Sequence, residues 1–357
     1  MQEQDEFIGM LEDSARRFVL DSSCKDHASL WPAIAELGWL GLCLPESHGG
    51  TGLGVSGASA LTRLFGQAAL PNRFSSYCVI PSHILSHVTT AHPIIKDLCE
   101  ELILGSALLT LAWQEHEGQF SPDRIDTKLN NGTLNGSKLF VAGADIATQF
   151  LVTAKQDNEQ VVLLINREAE GVRIEQVYES DGGFATVHFT DVTVDESALL
   201  LSAENASIAV TNSIEAGRIA ISAELEGLAH GCLEATLEFV KTRNQFKQAI
   251  GSFQSIRHRC VDLLIATRLS ESSWRKALTK LPLDEAQVSA AKARCGETAI
   301  KVAKESIQMH GAMGFTEEAG IGRYLRAAMA QSGWLGSPRQ HRERLMNTIS
   351  PKELIHA

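Results

Sequence analysis

Positive charge is in deficit in this sequence. Asp and Glu number 43 against 32 Lys and Arg, a net charge of -11 over 357 residues. A nucleic-acid surface needs the opposite balance, so no DNA or RNA partner is expected. Long apolar runs are also missing: no stretch of roughly 18 apolar residues suits a membrane span. The start, Met1 to Phe7, is acidic and lacks the basic end and apolar core of a secretion signal. The seven cysteines (Cys24, Cys43, Cys78, Cys99, Cys232, Cys260, Cys295) form no Cys-x-x-Cys pair. An odd, scattered set argues against a disulfide frame or a zinc site and for free thiols in a reducing cytoplasm. The Gly-rich stretch from Gly49 to Gly54 lacks G-x-G-x-x-G spacing and reads as a plain turn.

What is present is enough chain for two or three subdomains, and a pattern that changes character twice. Residues 1–106 read as a helical domain, in which Trp31, Ile34, Leu37 and Leu40 follow helical spacing. Residues 107–204 shift towards a period of two. Asn131-Gly132 signals a tight hairpin, and Phe150–Thr153 and Val161–Ile165 flank a polar turn at 156–160. Val187 and Phe189 face one way, His188 and Thr190 the other. This part is expected to be a small antiparallel β domain. Residues 205–357 are helical again. Ile214, Ile221, Leu225, Leu228, Cys232, Ala235 and Phe239 give one apolar face, with Asn212 or Ser213 as its cap. A second helix carries Ile256, Cys260, Leu263, Trp274 and Leu278. A third follows Pro282, where Asp284 and Gln287 fit a capping box ahead of a stripe of Val288, Ala291, Cys295, Thr298 and Val302. Three long helices make a C-terminal bundle. The fold class is mainly α with a central antiparallel β domain.

Particular residues then resemble one family. Glu36-Leu37-Gly38-Trp39, Leu44-Pro45-Glu46 and Gly49-Gly50 look like its "LGW…LPE…GG" segment. Arg243-Asn244-Gln245-Phe246 with Phe253-Gln254 is similar to "R-x-x-F-G…FQ". Gln308-Met309-His310-Gly311-Ala312, continuing to Glu318, looks like "QxHGGxGYTEE", and Tyr324-Leu325-Arg326 follows as in "RYYRD". This is the acyl-CoA dehydrogenase family, and the likeness runs along nearly the whole chain. It implies a helical domain, a β domain and a four-helix-type bundle. It implies FAD, with Arg243 and Phe246 reaching the FAD of a neighbouring subunit, Gln245, Phe253 and Gln254 also binding the cofactor, and Gln308, Met309, Gly311 and Ala312 packing on it. A guanidinium suits a pyrophosphate, and glycine permits close approach. From the β domain, Gln114 stands for a threonine in "ALTEP", Phe140 for the tryptophan and Ala142 for the threonine of "GxKxWIT". Ala142 brings no side-chain hydrogen bond.

The likeness also implies the reaction: a carboxylate removes an α-proton from an acyl-CoA and flavin accepts the β-hydride. The expected "EGT" motif falls on Leu335-Gly336-Ser337, where Leu335 replaces the glutamate. A second family position for the base precedes an arginine 25 residues before Arg243. That arginine is Arg218, and the residue before it is Gly217. Glu215 lies about 200° round the helix from Gly217, a poor substitute that reads better as a first-turn acid facing the helix dipole. By the likeness, Arg218 and Glu215 sit near the acyl-CoA. His83 and His87 read as solvated histidines, and Glu115, His116 and Glu117 point apart on a strand. No metal is expected. The expectation is a flavin-dependent acyl-CoA dehydrogenase subunit without the usual glutamate. It would be a dimer or tetramer, homo- or hetero-oligomeric, with an electron-transfer flavoprotein as acceptor. Alternatives are a flavin monooxygenase of the same fold and a non-catalytic scaffold subunit.

Overall fold

The computed structural model describes residues 2–22, 27–176 and 183–348. Cys24 lies outside them; the other six cysteines are buried and unpaired. The chain divides into two compact units. One holds 1–24, 59–71 and 218–357; the other holds 25–58 and 72–217.

In the second unit, helices α2 (His27–Glu36), α4 (Ile80–Leu85) and α5 (Ile95–Leu104) accompany a sheet. Trp31, Ile34 and Leu40 are buried as their spacing predicts, but α2 ends at Glu36 and Leu37 is exposed. The Gly49–Gly54 stretch is a turn: a Cβ on Gly50 would lie 2.2 Å from the Leu44 carbonyl oxygen. His83 on α4 is half-buried rather than fully solvated. Its Nε2 is buried without a hydrogen-bond partner, and burial, with His87 nearby, pushes its pKa down to about 4.

The strands are β1 (Leu109–Ala112), β2 (Lys128–Asn130), β3 (Thr133–Val141), β4 (Gln149–Gln156), β5 (Glu159–Asn166), β6 (Val172–Gln176), β7 (Ala185–Thr193) and β8 (Leu199–Ser202). They form one sheet in the order β6-β7-β3-β2-β4-β5-β8, with β1 also on β4. The sheet is mixed, which corrects the all-antiparallel expectation: β1 and β2 both run parallel to β4. Hairpin signals report only adjacent strands, and β1 and β4 are separated by β2 and β3, so no local signal exposed this pairing. The hairpins themselves match. Asn131 and Gly132 take φ 49° and 72° between the paired Asn130 and Thr133, as a two-residue primed turn requires. Asp157 and Asn158 do the same between β4 and β5. Val187 and Phe189 are buried and Thr190 exposed.

The first unit is helical: α1 (Gln2–Ser22), most of α3 (Gly54–Gln67), the later part of α6 (Ala203–Thr242), α7 (Gln254–Ala277), α8 (Glu285–His310), α9 (Ile321–Gly333) and α10 (Pro338–Thr348). Helices α7, α9 and α10 all pack on α8. Asp284 caps α8, accepting from the Ala286 and Gln287 amides at 3.0 Å each. The reciprocal half of the box is not made, since Gln287 Oε1 is buried without a partner. Helix α6 begins nine residues before the expected Asn212 cap. Ser213 is interior, and its hydroxyl donates back to the Val210 carbonyl. The strand β8 delivers the chain straight into α6, so the helix starts where the strand ends. Where α3 crosses α6, Gly231 lets the backbones touch: a Cβ there would sit 1.9 Å from the Gln67 carbonyl oxygen.

Candidate active site

Leu335, the position expected to hold the base, lies just past α9 and is 6% exposed. Its φ of 57° is left-handed, uncommon for leucine. Its carbonyl accepts from Arg218 Nε at 2.9 Å and from His341 Nε2 at 3.2 Å. A carbonyl only accepts, so Nε2 carries the imidazole proton; Nδ1 then accepts from the Ser289 hydroxyl at 3.3 Å. Burial, with the cations Lys292 and Arg218 adding to it, holds His341 well below the usual imidazole range. Neutral and engaged at both nitrogens, it is not placed to take a substrate proton. Lys292 is fully buried and donates to the carbonyls of Gln331, Ser332 and Gly336 at 3.0, 3.0 and 3.3 Å. Burial, then Arg218, pushes its pKa down to about 7. The loop is thus pinned through its backbone, and residue 335 offers no proton acceptor.

The second base position fares no better. Gly217 has no side chain, and Arg218 is 3% exposed. Glu215 is 5% exposed and more than three turns into α6. It is a buried interior acid, not a first-turn acid at the helix dipole, because the helix starts earlier than its cap signal suggested.

Residues expected to contact the cofactor converge in the first unit. At the end of α6, Asn244–Gln245 (β9) and Gln248–Ala249 (β10) form a small hairpin whose turn residues Phe246 and Lys247 have φ of 51° and 67°. Phe246 is 86% exposed and meets Phe253 edge-on at 6.2 Å. Phe239 of α6 stacks on His310 of α8 at 4.1 Å, and Cys260 of α7 touches Met309. These contacts bring the Arg243 and Gln308 motifs to one end of the helices. Arg243, Gln245, Gln254, Gln308, Gly311 and Ala312 are exposed there; Met309 is buried. The Arg243 guanidinium has no hydrogen-bond or ion-pair partner among the described residues. Gly311 has φ 61° and ψ -138°, a glycine backbone, with open space where a Cβ would stand. A free guanidinium, exposed amides and an exposed ring beside an open backbone fit a group with a diphosphate and an aromatic ring, as FAD has.

In the second unit, the Gln114 carbonyl accepts from the Leu139 amide at 2.7 Å, and Thr110 Oγ1 donates to the Ala142 carbonyl at 2.7 Å. Gln114, Phe140 and Ala142 therefore sit together. Phe140 is half-buried with φ 49°. Glu115 and its neighbours correct the sequence reading, because β1 ends at Ala112 and they lie on a loop. Glu115 meets buried Lys138 at 2.5 Å and accepts from the Asp126 and Thr127 amides. Burial raises its pKa, but Lys138 and these amides bring it down overall. Glu115, His116 and Asp126 come within 4.8 Å of one another. With Lys138 and two amides already on the Glu115 oxygens, the trio is a structural knot, not a vacant ligand set.

Lys292 and His341 escaped the sequence reading. The signal was there for Lys292: it falls inside the α8 stripe, four residues after Val288, where a lysine is costly unless satisfied. His341 had no such signal.

The descriptions "Acyl-CoA dehydrogenase, N-terminal domain" and "Acyl-CoA dehydrogenase, C-terminal domain" match residues 2–91 and 207–349. The chain belongs to the acyl-CoA dehydrogenase family. A probable acyl-CoA dehydrogenase of Bacillus subtilis (strain 168), YngJ, is 25% identical over 355 residues, covering 91% of this chain and 92% of its own. The steroid ACAD Tcur3481-Tcur3483 has the same fold, with a TM-score of 0.84 at 24% identity over 96% of this chain and 98% of that one. So does the ChsE4-ChsE5 complex from Mycobacterium tuberculosis, with 0.82 at 20% identity over 100% and 97%. The acyl-CoA dehydrogenase fold, FAD as cofactor and dehydrogenation of acyl-CoA thioesters come with this family. FAD supplies the hydride acceptor. Arg243, Phe246 and the Gln308–Ala312 backbone are the residues of this chain that would hold it. No described helix is long and apolar enough to cross a membrane.

Proposed function

We propose that this chain is a subunit of an FAD-dependent acyl-CoA dehydrogenase that lacks its own α-proton base and lends flavin contacts to a catalytic neighbour. The observation that carries the reading is Leu335: the position that the resemblance gives to the base holds a buried leucine on a loop braced through its carbonyl. The unpartnered Arg243 and the exposed Phe246 support a cofactor shared across subunits, because both project from a surface hairpin with no acceptor of their own. Arg218 and Glu215 belong on the acyl-CoA side of the site, and the acyl-CoA enters with its base supplied from elsewhere. An electron-transfer flavoprotein then takes the electrons. The six buried, unpaired cysteines support a reducing cytoplasm as its compartment.

The test is to purify the chain alone and co-expressed with candidate partner subunits of the same fold, and to follow flavin absorbance as acyl-CoAs are added. Flavin retention and bleaching are expected only with a partner. Bleaching by the chain alone would sink the partner-subunit reading, and the absence of flavin in every preparation would remove the redox reading altogether. An Arg243→Ala change should cut flavin retention at least tenfold; unchanged retention would remove the cofactor argument.

A further inference from the structure

A cavity of about 720 Å³ opens within the helical unit between α1, α3, α6 and α9. Its lining contains none of the residues assigned above to flavin, acyl-CoA or the base position. Arg16, Arg63 and Arg323 line it with one carboxylate, Glu234, and Arg16 already pairs with Glu12 at 3.2 Å. That carboxylate is already used: Gln67 Nε2 donates to one oxygen at 2.8 Å, and His230 Nε2 lies 3.2 Å from the other. Arg63 gives only its Nε, to Glu226 at 2.6 Å. Arg323 has no carboxylate partner among the described residues. Its Nε is buried with no acceptor, and its guanidinium lies 5.3 Å from the Tyr324 ring centroid. A buried, unmatched guanidinium donor is costly unless an acceptor arrives. The remaining wall is apolar and small: Val19, Leu20 and Leu64, with Ala68 and Ala235 leaving the space open.

We propose that this cavity binds a monocarboxylate with an apolar body. Its head would be held by Arg323, with Arg63 alongside, and its chain would lie over Leu64, Ala68 and Ala235. A planar guanidinium matches a carboxylate fork, and the single negative charge answers Arg323, which has no carboxylate partner among the described residues, without confronting Glu234 as a dianion would. The site is separate from the flavin and acyl-CoA residues, so it is a binding site for a free acid and not for the thioester being oxidised.

The test uses the full chain in its flavin-loaded assembly, titrated by calorimetry with octanoate, octanol and inorganic phosphate. Octanoate is expected to bind once per chain, at least tenfold more tightly than octanol, with no heat from phosphate. Arg323→Gln should bring octanoate down to the affinity of octanol. Ala235→Trp, at an exposed position that tolerates bulk, should fill the cavity and abolish both. Equal affinity for octanoate and octanol, octanoate binding untouched by both variants, or no saturable binding at millimolar octanoate would each overturn the proposal. Because the readout is binding at a site lined by none of the flavin residues, its failure is distinguishable from failure of the subunit reading.

Discussion

Arg218 Nε donates to the backbone carbonyl of Leu335, 117 positions along the chain, at 2.9 Å. This contact is to a peptide group. With His341 on the same carbonyl and Lys292 on three others, the shape of this loop does not depend on which side chain residue 335 carries. A leucine at position 335 therefore leaves the surrounding frame standing.

Reinstating a carboxylate is thus expected to be tolerated and informative. Leu335→Glu would place an acid near Arg218 and Lys292, whose charges favour its ionised form. A positioned general base contributes roughly 10²–10⁴-fold, and flavin bleaching by acyl-CoA should accelerate within that range. Anaerobic stopped-flow absorbance reads it. An unchanged rate in a folded, flavin-loaded variant would mean that side chains at this position do not reach the substrate Cα.

The Lys138–Glu115 pair is a buried ion pair beside the sheet, with both side chains at most 4% exposed. Lys138→Met strands the carboxylate and should cost about 3–5 kcal/mol, seen as a lower urea midpoint. Adding Glu115→Gln removes the charge while its amide oxygen still accepts from the Asp126 and Thr127 amides. The double variant should recover at least half of the loss; a further drop would show that the pair matters through packing and not charge.

The cap of α8 separates a bond that forms from one that the pattern merely suggests. Asp284→Ala removes two accepted amide bonds and should cost about 1 kcal/mol. Gln287→Ala removes a side chain whose oxygen has no partner and should stay within about 0.5 kcal/mol. Thermal unfolding of both variants checks this, and equal losses would contradict the half-formed box.

Signals confined to a few neighbouring residues were legible in the sequence. Asn131-Gly132 gave a hairpin, Asp284 a cap and the Val288 stripe a buried face, because each depends on local backbone or helical period. Features set by distant neighbours were not. The parallel partners of β4, the early start of α6 out of β8, and the burial of His83 arise from pairing and packing that no local pattern encodes. The site divides the same way. The Arg243 and Gln308 motifs, and the leucine and glycine at positions 335 and 217, were legible as residue identities. The bracing of the Leu335 carbonyl by Arg218 and of the neighbouring carbonyls by Lys292 was not, since it links positions 39 to 117 apart that only the fold brings together.

His83 sets a pH dependence of stability. Its pKa falls from an ordinary 6.5 to about 4 because burial penalises the imidazolium. Between these values the unfolded chain binds a proton that the folded chain refuses, so stability must fall as pH drops through this window and be fully present above it. At up to about 1.4 kcal/mol per pKa unit, this one group accounts for roughly 1–3 kcal/mol between pH 7 and 4.5. His83→Gln keeps a polar side chain of similar reach but has no proton to gain. The variant should lose less stability than the wild type over that interval, measured by urea unfolding at both pH values. The carboxylates titrate equally in the two proteins, so the difference isolates the imidazole, and parallel losses would show that His83 is protonated in the folded chain at an ordinary pH.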